Sequence, residues 1–316
     1  MKQEALDFLS NNNSYTHRLA LAVGALCRTM TIKDVAKRMN LDWHTVKEME
    51  KEYMKAQLQK AGPPNPNVIG VDEISIKKYK YKIIVSDLEK RMPIWFGGDD
   101  RSETSMDQFY EFLGEKKSQK IRLAVMDMWR PFRNSTNAKA PNAAILYDKF
   151  HIICHLNEAL DRVRQQEFFR IRSKELKFMK GQKFILLSRE ENLTKDKKDK
   201  LKLLLQANKR LNTAYILKES FDQLWTYNSE IWARKFFDNW KAQLRWQRIK
   251  PFEKFAELIE KNWHGIASYC KPENKVPLGF VEGMNNKVRV IQRRSYGLRD
   301  EEYLRLKILT CMLPEL

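Results

Sequence analysis

A chain of 316 residues, 43% hydrophobic and 31% charged, has room for two or three domains and too many apolar residues for extended disorder. Its 59 Lys+Arg against 40 Asp+Glu leave a formal charge of +19, which points to a polyanionic partner: a nucleic acid, a ribosome or an anionic membrane surface. No apolar run is long enough to cross a bilayer and the N-terminus lacks a signal-peptide core, while four scattered cysteines without a C-x-x-C pair argue against disulfides or structural zinc and for a reducing cytosol.

Residues 14–58 read as helices, and the string TIKDVAKRMNLDWHTVKEMEKEYM predicts a helix-turn-helix. Val35, Ala36 and Met39 supply one apolar face, Asn40 and Leu41 the turn, and Asp42 caps a second helix carrying Val46 and Met49. Trp43, His44, Thr45 and Lys47 then stand near the start of that helix, where such motifs meet the major groove of double-stranded DNA. A plain helical hairpin packed on a core is the alternative. This region is expected to fill residues 1–60, with the Pro-rich stretch AGPPNPN, 61–67, as a linker.

Beyond the linker, NVIGVDEISI, YKIIVSDL and RMPIWFGG predict a three-strand antiparallel meander. Helical spacing follows over 102–115, with Met106, Phe109, Phe112 and Leu113 on one face. IRLAVMD reads as a buried strand, Trp129–Asn137 as a helix and AAILYD as a fifth strand. That order is the order of a ribonuclease-H-like sheet, so the expected fold is α/β: a ribonuclease-H-like mixed-sheet core with a large all-helical insertion and an N-terminal helix-turn-helix. The expected boundaries are 68–156 for the first part of the core, 157–275 for the insertion and 276–316 for the last part of the core. Residues 161–275 hold 27 Lys+Arg against 15 Asp+Glu, so most of the excess charge lies in the insertion. Five tryptophans lie there too (Trp225, Trp232, Trp240, Trp246 and Trp263); helical spacing favours core packing for most of them over a DNA platform.

Three acids stand out. Asp72 ends an apolar run in VIGVDEIS and Asp127 ends another in LAVMDMW. A carboxylate closing a buried strand is costly unless it binds a cation or is otherwise paired. Glu73 neighbours Asp72, but strand alternation turns it to the opposite face. In EGMNNKVRVIQRRSYGLRDEEYLRLKI, Glu282 opens a helix on which Asn285, Asn286 and Arg289 follow at i+3, i+4 and i+7, all along one face. Glu282 would complete a metal site, Asn286 and Arg289 would hold phosphate oxygens, and Arg293, Arg294 and Arg299 extend the basic surface. Taken alone, the segment also fits an amphipathic surface helix capped by Glu282.

The strings GVDEISIKK, VMDMWRPF, NAAILYDKFHIICHLNEALDRVR, LKES and the Glu282 segment resemble transposases of the ISL-three insertion-sequence family over most of residues 30–312. The resemblance implies a ribonuclease-H-like core interrupted by a helical insertion between the second and third acids. Asp72, Asp127 and Glu282 then stand at the catalytic, metal-binding positions. It also implies action on the terminal inverted repeats of a mobile element and on target DNA, as a homo-oligomer (a dimer in the simplest case), in the bacterial cytoplasm at the nucleoid. Members usually carry a cysteine-containing zinc-binding segment ahead of the helix-turn-helix; residues 1–30 here hold one cysteine, Cys27. Asp148-Lys149-Phe150-His151 resembles an acid-x-x-His signature of some cut-and-paste transposases, in which His151 would contact the scissile phosphate or a displaced base and Asp148 would orient it. A structural histidine at a strand–helix junction is the alternative.

The expected chemistry is two-metal phosphodiester hydrolysis and strand transfer. Two Mg²⁺ ions, or Mn²⁺ in their place, suit an all-oxygen site, with Asp72 bridging both and Asp127 and Glu282 holding one each. Two rivals stand beside it. A non-catalytic transposon-derived regulator has no need of the acids, and a nuclease of the same fold cuts without joining.

Overall fold

A computed structural model describes residues 8–10, 14–77, 80–170, 181–277, 279–294 and 300–316. Two units make up the chain: Met1–Ala124, Trp129–Ala143 and Pro277–Leu316 form the first, Val125–Met128 and Ala144–Val276 the second. Five strands, β1 (Val68–Lys77), β2 (Lys80–Asp87), β3 (Met92–Gly97), β4 (Leu123–Met126) and β5 (Ala144–Tyr147), make one sheet in the order β3-β2-β1-β4-β5. β1–β2 and β2–β3 pair antiparallel, which is the predicted meander.

The first unit opens with three helices, α1 (His17–Cys27), α2 (Ile32–Met39) and α3 (Trp43–Ala61). Local chemistry dictates each boundary. The Thr31 hydroxyl accepts from Asp34 N at the start of α2, Asn40 takes the left-handed conformation at its end (φ 51°), and the Asp42 carboxylate accepts from His44 N at 2.8 Å to start α3. Val35, Ala36, Val46 and Met49 close a small core with Tyr15, Ala20, Val23 and Cys27. α1 and α3 cross where Gly24 faces Tyr53, and a Cβ at position 24 would lie 2.2 Å from Tyr53 Cβ. Gly24→Ala is therefore expected to cost roughly 1–3 kcal/mol through overpacking, despite alanine's better helix propensity. Urea melts of the two proteins check this; an unchanged or raised midpoint would contradict the crossing. α3 ends on Gly62 (φ 72°), and the prolines of the linker follow.

Strand alternation gives the sheet two distinct faces. Asp72 on β1 lies opposite Ile84 on β2, which lies opposite Phe96 on β3. Ile74, Ile84 and Phe96 pack under two C-terminal helices, Gly279–Arg294 and Glu301–Thr310, through Met284, Val288, Leu304, Ile308 and Leu309. The opposite face meets α4 (Glu103–Leu113), where Trp95 and Phe109 make an edge contact at 5.9 Å. The predicted inward face of α4 needs one correction. Met106, Phe109, Tyr110 and Leu113 are buried, whereas Phe112 is exposed because it falls off the i, i+3, i+4, i+7 stripe. Tyr110 takes the fourth place and hydrogen-bonds Thr136 on α6 (Arg130–Lys139) at 2.8 Å. A one-turn helix, α5 (Glu115–Ser118), leads into β4.

The second unit is helical apart from its strand residues, and among the described residues no strand follows β5. α7 (Lys149–Arg170) runs unbroken for 22 residues. Phe221, Trp240 and Phe255 form an aromatic core with ring centroids 5.0–6.1 Å apart, and Trp240 Nε1 donates to Leu217 O at 3.0 Å. Trp225 is buried as well. Trp232 and Trp246 are not: Trp246 is 87% exposed, beside Arg245 and Arg248.

Candidate active site

Asp72 lies in the middle of β1, five residues before its end, rather than closing the strand as its apolar run predicts. It is only 8% exposed, so its charge has to be met by the protein. One carboxylate oxygen accepts from Glu73 N at 2.8 Å, and the other accepts from the Asn285 side-chain amide at 2.5 Å. The helix carrying Asn285 reaches the strand because position 70 is glycine. A Cβ there would stand 2.8 Å from both Val281 Cγ2 and Leu88 Cδ2. Val281, Met284 and Val288 face inward beside Asn285, while Glu282, Asn286, Arg289 and Arg293 form an exposed stripe. Glu282 thus stands one helical turn before the residue that touches Asp72. Arg294 is exposed and donates to Thr29 O at 3.0 Å; Arg299 lies outside the described residues.

Glu73 points to the opposite face, as alternation requires. Its carboxylate pairs with Arg101 at 2.5 Å, and the Arg101 guanidinium lies 4.4 Å from the Trp129 ring. Trp129 Nε1 in turn donates to Arg101 O at 2.7 Å, which fixes the indole at the start of α6.

In the second unit, Asp127 directly follows β4. One of its oxygens accepts from Met128 N at 2.6 Å and the other is 3.9 Å from His151 Nδ1. Asp148 serves the start of α7: its side chain accepts from Phe150 N at 2.9 Å and its backbone N–H donates to Met126 O at 2.9 Å. His151, in the first turn of α7, is therefore placed by the Asp148 turn and faces Asp127. Tyr147 and His264 hydrogen-bond at 3.1 Å, and Gly265 leaves room for the tyrosine ring, where a Cβ would lie 2.4 Å from it. Burial lowers the Lys149 ammonium below its ordinary range, and the Trp225 ring lies 5.0 Å from it. Among the described residues no three His, Cys, Asp or Glu side chains are gathered closely enough to hold a metal ion.

A family model described as a transposase of the ISL3 type matches residues 69–308, and the helix-turn-helix domain of transposase family ISL3 matches residues 4–54. The chain belongs to the ISL3 family of transposases. The transposase for insertion sequence element IS1001 of Bordetella parapertussis is 32% identical over 309 residues, covering 96% of this chain and 75% of that protein. The transposase for insertion sequence element IS1557 of Mycobacterium tuberculosis is 24% identical over 261 residues, covering 75% of this chain and 58% of that protein. No helix among the described residues is long and apolar enough to cross a membrane.

The ISL3 helix-turn-helix presents Trp43 and His44 outward with ring centroids 3.6 Å apart, and Thr45 half-buried behind them. Lys47 is turned away from that surface and pairs with Asp300 at 2.6 Å. Lys51 and Lys55, at successive turns of α3, pair with Glu302 at 2.8 and 2.9 Å. This lysine stripe is committed to the terminal helix Glu301–Thr310, for which Asp300 is also the N-cap, accepting from Tyr303 N at 3.0 Å. Its hydrogen bond with Lys47 holds the Asp300 carboxyl down at about 2. Because that value is depressed, the stabilisation is complete above the unfolded value near 4 and is lost as pH falls through about 2. Asp300→Asn keeps the cap and removes the charge. It is expected to cost on the order of 1 kcal/mol near pH 7, after allowing for solvent screening, and almost nothing near pH 2. Urea melts at both pH values check this; an equal loss at both would show that the charge contributes nothing.

Arg101 and Asn285, which meet Glu73 and Asp72, are the neighbours hardest to single out from sequence. Asn285 carried one signal, its place three residues after Glu282; Arg101, in the turn GGDDRSE, carried none.

Proposed function

We propose that this chain is the DNA-cutting and joining protein of an insertion sequence, with a ribonuclease-H-like core. In this reading Asp72, Asp127 and Glu282 hold two divalent ions, Mg²⁺ or Mn²⁺. The observation that carries it is Asp72: a buried carboxylate in the central strand, met by an amide from the helix that bears Glu282. The order β1-β2-β3-α4-β4-α6-β5, then helices, then the Glu282 helix, supports the fold assignment, and β1 and β4 are neighbours in the sheet.

The donors of these residues suit the ions in kind, although the three acids are not gathered in this structure. The donor atoms are hard carboxylate and amide oxygens, and Asn285, whose Nδ2 meets Asp72, has its Oδ1 buried with no hydrogen-bond partner among the described residues. Asp72, Asp127 and Glu282 would hold the pair. Bound there, two divalent ions supply an activated water and stabilise the leaving 3′-oxygen. The exposed Asn286, Arg289, Arg293 and Arg294 would take phosphate oxygens and fix the scissile bond in line. His151, facing Asp127, would contact the scissile phosphate or a displaced base. Trp43, His44 and Thr45 would read the terminal repeat, with Lys47 contributing only if its Asp300 pairing opens. Action on paired element ends makes a homo-oligomer, a dimer at its simplest, the expected working form.

The test is cleavage of DNA carrying the element's ends by the wild type, Asp72→Asn and Glu282→Gln in Mn²⁺. Loss of cutting in both variants with binding retained supports the assignment. Tight binding without cutting by the wild type in either metal favours a regulator, and cutting without joined product favours a nuclease.

A further inference from the structure

Asn285 meets Asp72 with one end of its amide and leaves the other unmet, which a purely structural role does not explain. Its Nδ2 donates to Asp72 Oδ2 at 2.5 Å, and its Oδ1 is buried with no hydrogen-bond partner among the described residues. Buried acceptors are normally satisfied, so an orphan beside a buried carboxylate needs a reason. The carboxylate, being an acceptor, fixes which way the amide points. Its neighbour Asn286 is exposed and shares none of this.

We propose that Asn285 is an additional ligand of the divalent-ion site at Asp72, an inference that rests on the reading of Asp72 as an ion-binding carboxylate. Without an ion, the amide N–H stands where positive charge is needed and satisfies Asp72. With an ion bound, a half-turn of the amide exchanges Nδ2 for Oδ1 and sets a neutral carbonyl oxygen next to Asp72 Oδ2. Carbonyl oxygens of asparagine are accepted ligands of hard divalent cations. No proton moves and no bond is made or broken in the protein. The exchange explains why an amide stands here: it serves as donor in one state and acceptor in the other. A carboxylate at this position would repel Asp72 whenever the ion is absent.

The experiment is Mn²⁺ titration of the full chain, followed by the electron paramagnetic resonance signal of free Mn²⁺, with thermal melting in EDTA and in Mn²⁺. Four proteins are compared: wild type, Asp72→Asn, Asn285→Ala and Asn285→Asp. Asp72→Asn tests the underlying reading by itself, and wild-type Mn²⁺ affinity in that variant removes both claims. With Asp72→Asn weakened, Asn285→Ala is expected to weaken Mn²⁺ binding by roughly 10-fold or more. Asn285→Asp is expected to bind Mn²⁺ at least as tightly as wild type, to melt lower in EDTA and to be rescued by Mn²⁺. Wild-type Mn²⁺ affinity in Asn285→Ala, or a loss in Asn285→Asp, overturns the proposal while leaving the role of Asp72 intact. Should Asn285→Ala fail to fold, Asn285→Asp alone carries the test.

Discussion

Asp127→Asn is expected to lower strand cleavage by about three orders of magnitude or more, roughly 4 kcal/mol of transition-state stabilisation, while DNA affinity changes little. The substitution is nearly isosteric. Its remaining carbonyl oxygen can still accept from Met128 N, so the turn after β4 survives. What goes is the negative charge at an acid that faces His151, 3.9 Å away, and with it a ligand for the ion it would hold. The helix-turn-helix is built from α1–α3 and owes nothing to this residue. Single-turnover cleavage measured beside anisotropy binding to the same DNA separates the two effects. Cleavage within a few-fold of wild type would remove Asp127 from the mechanism. Parallel loss of binding would make it structural.

The largest stability effect is expected at Glu50, a residue of α3 that is only 4% exposed. Tyr303 donates its hydroxyl to one carboxylate oxygen, and Lys307 Nζ lies 2.6 Å from the other. The phenol is pushed well above its ordinary range, first by burial and then by the carboxylate beside it. Glu50→Ala leaves a half-buried ammonium and a buried hydroxyl without their acceptor, a change worth roughly 3–5 kcal/mol. Against a typical total of about 5–15 kcal/mol, that brings the fold close to its limit. Replacing the network together, Glu50→Met with Lys307→Met and Tyr303→Phe, is expected to recover most of the loss, since apolar groups of similar volume need no partner. Urea melts of the three proteins decide it. A single variant losing less than about 1 kcal/mol would mean that Lys307, which is partly exposed, simply turns to water.

How much of this was legible in the sequence depended on how local the cause was. Asp42 as a cap, Asn40 as the left-handed residue and Val35, Ala36, Val46 and Met49 as the core face are fixed by neighbours within a turn, and the structure has all of them. The five strands were readable from their β-branched and aromatic runs, and their observed order along the chain is the expected one. Failures came where a distant partner decides. Asp72 looked like a strand end because its apolar run stops there, yet pairing with β2 carries β1 on to Lys77. Lys47 reads as a DNA contact from its place on the second helix of the motif, and its pairing with Asp300, at the far end of the chain, is what the local sequence does not show. Of the two adjacent amides on the Glu282 helix, Asn285 meets Asp72, a choice set by Gly70 and Val281 at the packing interface and invisible in spacing alone. Phe112 reads as inward on helical spacing, but the i, i+3, i+4, i+7 stripe of α4 gives that place to Tyr110.

The most direct test of the central claim is a cleavage-and-joining reaction on labelled DNA carrying the element's own ends. Wild type is run with Mg²⁺, with Mn²⁺ and with EDTA, beside Asp72→Asn, Asp127→Asn and Glu282→Gln. The account predicts cutting at the element end and a joined product in either metal, none in EDTA, and neither product from any of the three variants although all still bind. Cutting that persists in EDTA, or in any one of those variants, would contradict the assignment of these acids as the ion-holding set.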